Sequence, residues 1–247
     1  MFAIFKKEIT GFFSSLTGYI VIAVYLLINS LFMWIFPGNW NIFDNGYAGL
    51  DTLFFLSPWI FLFLVPAVTM KMFAEEKRLG TIELIFSRPV TEREIIWGKY
   101  LASVALVLLA LLPGIIYYIS VSSLGETPGN LDKGGTIGAY IGLFFLASIY
   151  AAIGIFASSL TDNQVIAFIF AVFLCFLMYM GFDSVAYLPG LKNINEFIIG
   201  LGIDEHYKSI SRGVVDIKDA VYFLAAVGII NESTRLTLLS RKWKKNN

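Results

Sequence analysis

Residues that could do chemistry are scarce in this sequence, and most of them lie in one stretch. Glu75 to Lys99 reads EEKRLGTIELIFSRPVTEREIIWGK, dense in charge between two strongly apolar runs. Leu79, Ile82 and Phe86 recur at helical spacing, with Glu76, Lys77, Arg78 and Glu83 on other faces. The first half is therefore expected to be an amphipathic helix lying along a membrane surface. Pro89 disfavours helix at Arg88 and forces a turn. Thr91 is expected to cap a second helix, with Glu94 completing a capping box and Val90 and Ile95 at the staple positions. The stretch thus reads as two short helices joined by a turn, the second running into an apolar segment. The chemistry such a pattern supports is recognition, with charged contacts around a few apolar anchors. Charge pattern alone also fits a solvated interfacial linker.

Other chemistries find little support. The sequence has no GxxxxGK[ST] phosphate loop, no HExxH and no CxxC, so it offers no nucleotide, zinc or dithiol site of those kinds. The one histidine, His206, has no obvious partner, and the one cysteine, Cys175, lies in an apolar run and is expected to pack as a small hydrophobe. No catalytic or metal-binding set is expected, and the chain is not expected to be an enzyme. Basic and acidic residues balance at 18 each, which gives no footprint for nucleic acid. Glu232 and Arg235 stand three apart in the last apolar segment and can neutralise each other. They fit either a gate or, as the preferred reading, a structural pair. Ionisable residues are otherwise nearly absent from the apolar runs, which weighs against an ion-driven carrier.

The elements that must position these residues follow from composition. Hydrophobic residues make up 57% of the chain and charged residues 15%, well off the balance of a water-soluble domain. The excess sits in long apolar runs, so the fold class expected is an all-α integral membrane protein forming one transmembrane domain over residues 1–247. Six spans are expected, at about 16–36, 52–73, 99–124, 136–160, 165–185 and 217–240, the last being the shortest in apolar length. Phe2, Phe5, Ile9, Phe12 and Leu16 predict an interfacial amphipathic helix ahead of the first span. The N-terminal stretch is not expected to be a cleavable signal, because the apolar run after Lys6 and Lys7 is long enough to span. A polar turn, GETPGNLDKGG, separates the third and fourth spans. Residues 186–216 are expected to hold short re-entrant or interfacial helices, broken at Gly200 and Gly202. Small residues four apart in the fourth span, such as Gly138 with Gly142 and Gly154 with Ser158, are expected to serve close helix packing. Lys and Arg asymmetry places both termini and the charged loop in the cytoplasm.

The stretch EEKRLGTIELIFSRPVTEREIIWGKYLA resembles the signature of ABC-2 type transporter permeases. The matching positions are Glu75, Glu76, Arg78, Gly80, Thr81, Glu83, Leu84, Pro89, Gly98 and Lys99. A second match lies in HYKSISRGVVDIKDAVYF, at Arg212, Gly213, Asp216 and Asp219. Within that family the overall likeness is to permease subunits associated with bacterial gliding motility. The resemblance implies a permease with a coupling helix after the second span, docked by a separate ATP-binding cassette subunit that holds ATP and Mg. Glu75, Glu76, Arg78 and Glu83 would make its charged contacts, Leu79, Ile82 and Phe86 its apolar anchors, with Gly80 and Thr81 between them. It also implies a second permease, identical or not, an exporter in the inner membrane, contact with membrane lipid, and further gliding-machinery partners. The alternative from another class is an ATPase-independent carrier or an anchor of a membrane machine.

Overall fold

Apolar runs in a membrane protein must satisfy their backbone groups internally, and a helix does this within one segment. The structure, a computed structural model, describes residues 1–125, 131–188, 190 and 192–245, and among these it contains helices and no strand. The chain opens with α1 (Phe2–Phe13) and α2 (Leu16–Ser30), the latter prolonged by a π-helical turn, Leu31–Ile35. A single turn, α3 (Ile42–Asn45), leads to α4 (Asp51–Thr69), then α5 (Lys71–Arg78) and α6 (Ile82–Phe86). After them come α7 (Glu92–Leu111), α8 (Gly114–Leu124), α9 (Lys133–Leu160) and α10 (Gln164–Phe176). A π-helical turn, Leu177–Gly181, joins α10 to α11 (Phe182–Ala186). The last elements are a 3-10 turn at Lys192–Ile194, α12 (Asn195–Ile199), α13 (Ile203–Ser211) and α14 (Ile217–Lys245). The expected polar turn falls partly on residues 126–130, outside the described residues, as do the side chains of the basic residues after Ser240.

Among the described residues, five segments are long and apolar enough to cross a membrane: Gly18–Ile35, Asp51–Arg78, Glu92–Leu124, Lys133–Leu160 and Gln164–Ala186. They cover the first five expected spans, with shifted ends. The second continues as helix to Arg78, and the third begins at Glu92 and is broken at Pro113. Proline has no N–H to give the ladder, so α7 ends and α8 restarts there. α14 has the length of a span, at 29 residues, but Lys218, Asp219, Asn231, Glu232 and Arg235 interrupt its apolar character, and it is not one of the five.

α9 is the central helix, and 78% of its apolar window is buried. Its small residues explain how neighbours come so close. A Cβ on Gly154 would stand 1.9 Å from Thr69 Oγ1 of α4, and one on Gly138 would stand 2.5 Å from the Ile210 carbonyl of α13. The expected four-residue spacing thus serves packing within the chain, against two different helices. The segment before α14 also packs on protein. Ile203, Tyr207 and Ile210 of α13 are buried, and the Tyr207 hydroxyl donates to the Phe54 carbonyl at 2.7 Å. Since Phe54 opens α4 and Glu76 lies beyond its far end, α13 and the charged loop mark opposite ends of the bundle.

Candidate functional site: the charged loop and its anchor

The helix that leaves α4 does not stop at the end of the apolar run. Ser158 of α9 carries it across the break at Met70. Its hydroxyl accepts from the backbone N–H groups of Phe73 and Ala74, each at 3.0 Å, and donates to the Met70 carbonyl at 2.9 Å. One buried hydroxyl therefore satisfies three backbone groups that a break would orphan. Lys77 then donates to the Ser159 carbonyl. The start of the loop is pinned to the central helix by two adjacent serines.

α5 ends at Arg78, and Gly80 takes φ +70° just beyond it. That left-handed conformation is open to glycine and strained for a β-branched residue. The break corrects the expectation of one amphipathic helix through Leu79, Ile82 and Phe86. Leu79 lies past the end of α5 and is 62% exposed, Ile82 is buried, and Phe86 is half-buried at the far end of α6. They do not form one apolar face. The Thr81 hydroxyl donates back to the Glu76 carbonyl at 3.3 Å, which folds α6 against α5. Beyond Pro89, Thr91 opens α7 with a capping box. The Glu94 N–H donates to Thr91 Oγ1 at 3.3 Å, and the Thr91 N–H donates to Glu94 Oε2 at 2.9 Å.

Beneath this loop lies the feature that organises it. Lys99 of α7 is fully buried, and its ammonium donates to Glu8 Oε1 at 2.7 Å, Glu76 Oε1 at 2.8 Å and the Met72 carbonyl at 2.7 Å. It also lies 5.0 Å from the centre of the Phe73 ring, within cation–π range. Lys7 closes the set, 2.6 Å from Glu76 and 3.5 Å from Glu8. Burial works against the charge of Lys7, but its hydrogen bond to Glu76 and the nearby Glu8 outweigh that, and its pKa is raised. Two ammonium groups and two carboxylates thus form a neutral set that ties α1, α5 and α7 together. Glu76 is accordingly not a surface contact. It is 7% exposed and committed to the interior.

Sequence reasoning missed Glu8 altogether and took Lys99 only as the entry of a span. A signal was present in the adjacent Gly98. A Cβ there would meet the Met1 carbonyl at 3.1 Å and Ile4 Cβ at 3.2 Å. Gly98 lets α1 close on α7, and Lys99 then needs carboxylates from whatever has closed.

The loop presents Arg78, Leu79, Gly80, Glu83, Leu84, Arg88 and Pro89 at its surface. Glu75 is less exposed and stands 3.9 Å from Arg78. The pair Glu232 and Arg235 forms at 3.1 Å, and Glu232 is also 3.0 Å from Arg93 in the first turn of α7. The pair therefore sits at the loop end of the bundle beside the capped start of α7. Arg212 and Gly213 end α13, with Gly213 at φ +88° against the backbone of Gly134 and Gly135. Asp216 accepts from the Lys218 N–H at 3.1 Å at the start of α14. Gly213 is thus brought to the start of α9, not to the loop.

Two further groups were not expected to meet. His206 Nδ1 is 2.7 Å from the buried Asp219, its Nε2 is 3.0 Å from the Gly200 carbonyl, and its ring stacks on Tyr222 at 3.8 Å. They hold α13 and α14 together at the end opposite the loop.

A family model described as ABC-2 family transporter protein matches residues 2–238. No curated protein matches the chain. The matched range takes in α1, the charged loop, the five apolar segments and most of α14.

Proposed function

This chain belongs to the ABC-2 transporter family, and on that footing we propose that it is the membrane-spanning permease subunit of an ATP-driven exporter. It is a multi-pass membrane protein of that family. ATP and Mg are held by a separate ATP-binding cassette subunit, which docks on the loop between α5 and α7. Both termini and the loop face the cytoplasm, as the Lys and Arg asymmetry favours, and the membrane is the bacterial inner membrane. α14 is the sixth span. Asp219 is tied to His206 at the α13 end and Glu232 to Arg93 at the loop end, so the helix runs the height of the bundle. A second permease, the same or different, completes the path. An association with gliding motility rests on overall likeness of sequence alone.

The buried set around Lys99 is the observation that carries this reading. Closure of a soluble ATPase must reach the spans through an element that does not bend. α5 continues the second span, is pinned to α9 through Ser158, and is tied to the third span and to α1 through Lys99, Glu76 and Glu8. A push on the exposed residues of α5 and α6 therefore moves three helices together. A tether between spans needs none of these contacts.

The test is co-purification. Tagged protein in detergent is expected to bring with it a subunit that hydrolyses ATP. A carrier or anchor that needs no ATPase would assemble and act without one, and that outcome would reject the permease reading.

A further inference from the structure

His206 is the one histidine in the chain, and the docking of an ATPase at the far end of the bundle gives it no task. Both of its ring nitrogens face acceptors. Nδ1 is 2.7 Å from Asp219 Oδ1, and Nε2 is 3.0 Å from the Gly200 carbonyl. A carbonyl has no proton to offer, so Nε2 must donate. The Asp219 contact needs a proton as well, carried on Nδ1 or on Oδ1. A neutral imidazole beside an ionised carboxylate has one N–H and can serve only one of the two. Two further contacts favour the extra proton. The ring stacks on that of Tyr222 with centres 3.8 Å apart, and an aromatic face attracts a cation. Asp219 is buried, and its Oδ2 finds no donor among the described residues.

What the proton holds follows from the packing. α13 is anchored without it, through buried Ile203, Tyr207 and Ile210. α12 buries no residue. The turn after it is gripped at Gly200 by His206 and at Leu201, whose carbonyl accepts from the Tyr222 hydroxyl at 2.7 Å. We propose that His206 and Asp219 form a binding site for one proton, and that this proton holds α12 closed against α13 and α14. When it leaves, the remaining N–H stays with Asp219, the charged and stronger acceptor, and Gly200 is released with α12. Other titratable groups on the surrounding elements are engaged elsewhere or exposed. On α13, Asp204 pairs with Lys208 at 2.5 Å and Glu205 is exposed. Tyr179 and Asp183, from the turn before α11 and from α11 itself, face Asp204 and Lys208. Asp216 and Lys218 of α14, Glu196 of α12 and Lys133 of α9 are exposed. Closing takes up one proton relative to an open, neutral ring, so the closed form is favoured as pH falls and lost as pH rises. Above about pH 6.5, where a free histidine is neutral, the closed-to-open ratio should fall about tenfold per pH unit.

The experiment uses the full chain in lipid nanodiscs, with spin labels at Phe197→Cys on α12 and Val221→Cys on α14, both exposed positions. Cys175 is fully buried and out of reach of the label. The distance between the labels is read by double electron–electron resonance across pH. One short distance is expected at acid pH, with a longer population growing by the stated factor as pH rises. Asp219→Asn is expected to keep the short distance at every pH, because its amide donates to a neutral Nδ1 while Nε2 keeps Gly200. His206→Phe leaves a ring on Tyr222 without either bond and should give the longer distance throughout. A wild-type distance that does not change with pH would overturn the proposal, as would a pH dependence that survives Asp219→Asn.

Discussion

A lysine ammonium without solvent survives only if its charge is met and its protons are bonded. At Lys99, Glu8, Glu76 and the Met72 carbonyl do both. Removing one partner of such a set is costly because the others stay buried without compensation. Lys99→Met is expected to lower stability by about 3–5 kcal/mol, read as a fall in the thermal midpoint of the detergent-purified protein. Adding Glu76→Gln should recover part of that loss, and a purely additive double variant would show that the charges do not act as a set. The raised pKa of Lys7 fixes the sign of a pH effect. Its contribution is complete below the ordinary lysine range and is lost only as pH rises through the raised value. Stability at neutral pH should be flat with respect to this group, and Lys7→Met should change the alkaline limb of the pH–stability curve. Helical periodicity could place Glu76 on a face, but it could not say that α1 covers that face. For that reason Glu76 read as a docking charge, and Glu8 did not register.

Elements were legible where the signal is local. The capping box at Thr91 and Glu94 needs only four consecutive residues and forms as its spacing predicts. The end of α5 was not legible, because Leu79, Ile82 and Phe86 keep helical spacing across Gly80 while the backbone turns left-handed there. Gly80→Val places a β-branched side chain at φ +70° and is expected to cost more than about 1 kcal/mol. It should uncouple nucleotide hydrolysis from transport in proteoliposomes without preventing insertion. Full coupling in that variant would deny Gly80 its role. Helix contacts give a second prediction. Gly154→Ala sets a methyl group on Thr69, whose hydroxyl is already bonded to the Val65 and Pro66 carbonyls. Overpacking of that kind costs about 1–3 kcal/mol, and it should show as a lowered thermal midpoint. Gly228→Ala on α14, where a Cβ meets nothing, should leave the midpoint unchanged.

For the molecule as a whole, apolar run length was enough to find the first five spans, since a backbone in lipid has few options. It was not enough for α14, whose Glu232 and Asp219 find partners beyond the helix, in Arg93 and His206, in addition to the Glu232–Arg235 pair within it. The proposed docking surface is likewise a property of the assembled loop. The residues it turns outward include Leu79 and Leu84, and Leu84 had been read only as part of the family pattern. The account's central claim is that this outward face receives an ATPase while the Lys99 set beneath it holds the loop rigid. The most direct measurement is recovery of ATP-hydrolysing subunit with tagged wild type, with Leu79→Asp/Leu84→Asp, and with Leu236→Asn, an exposed control on α14. The account predicts hydrolysis recovered with the wild type and the control and lost by at least tenfold with the double variant, as for removal of interface anchors worth about 2 kcal/mol. Equal recovery from all three folded proteins would contradict it.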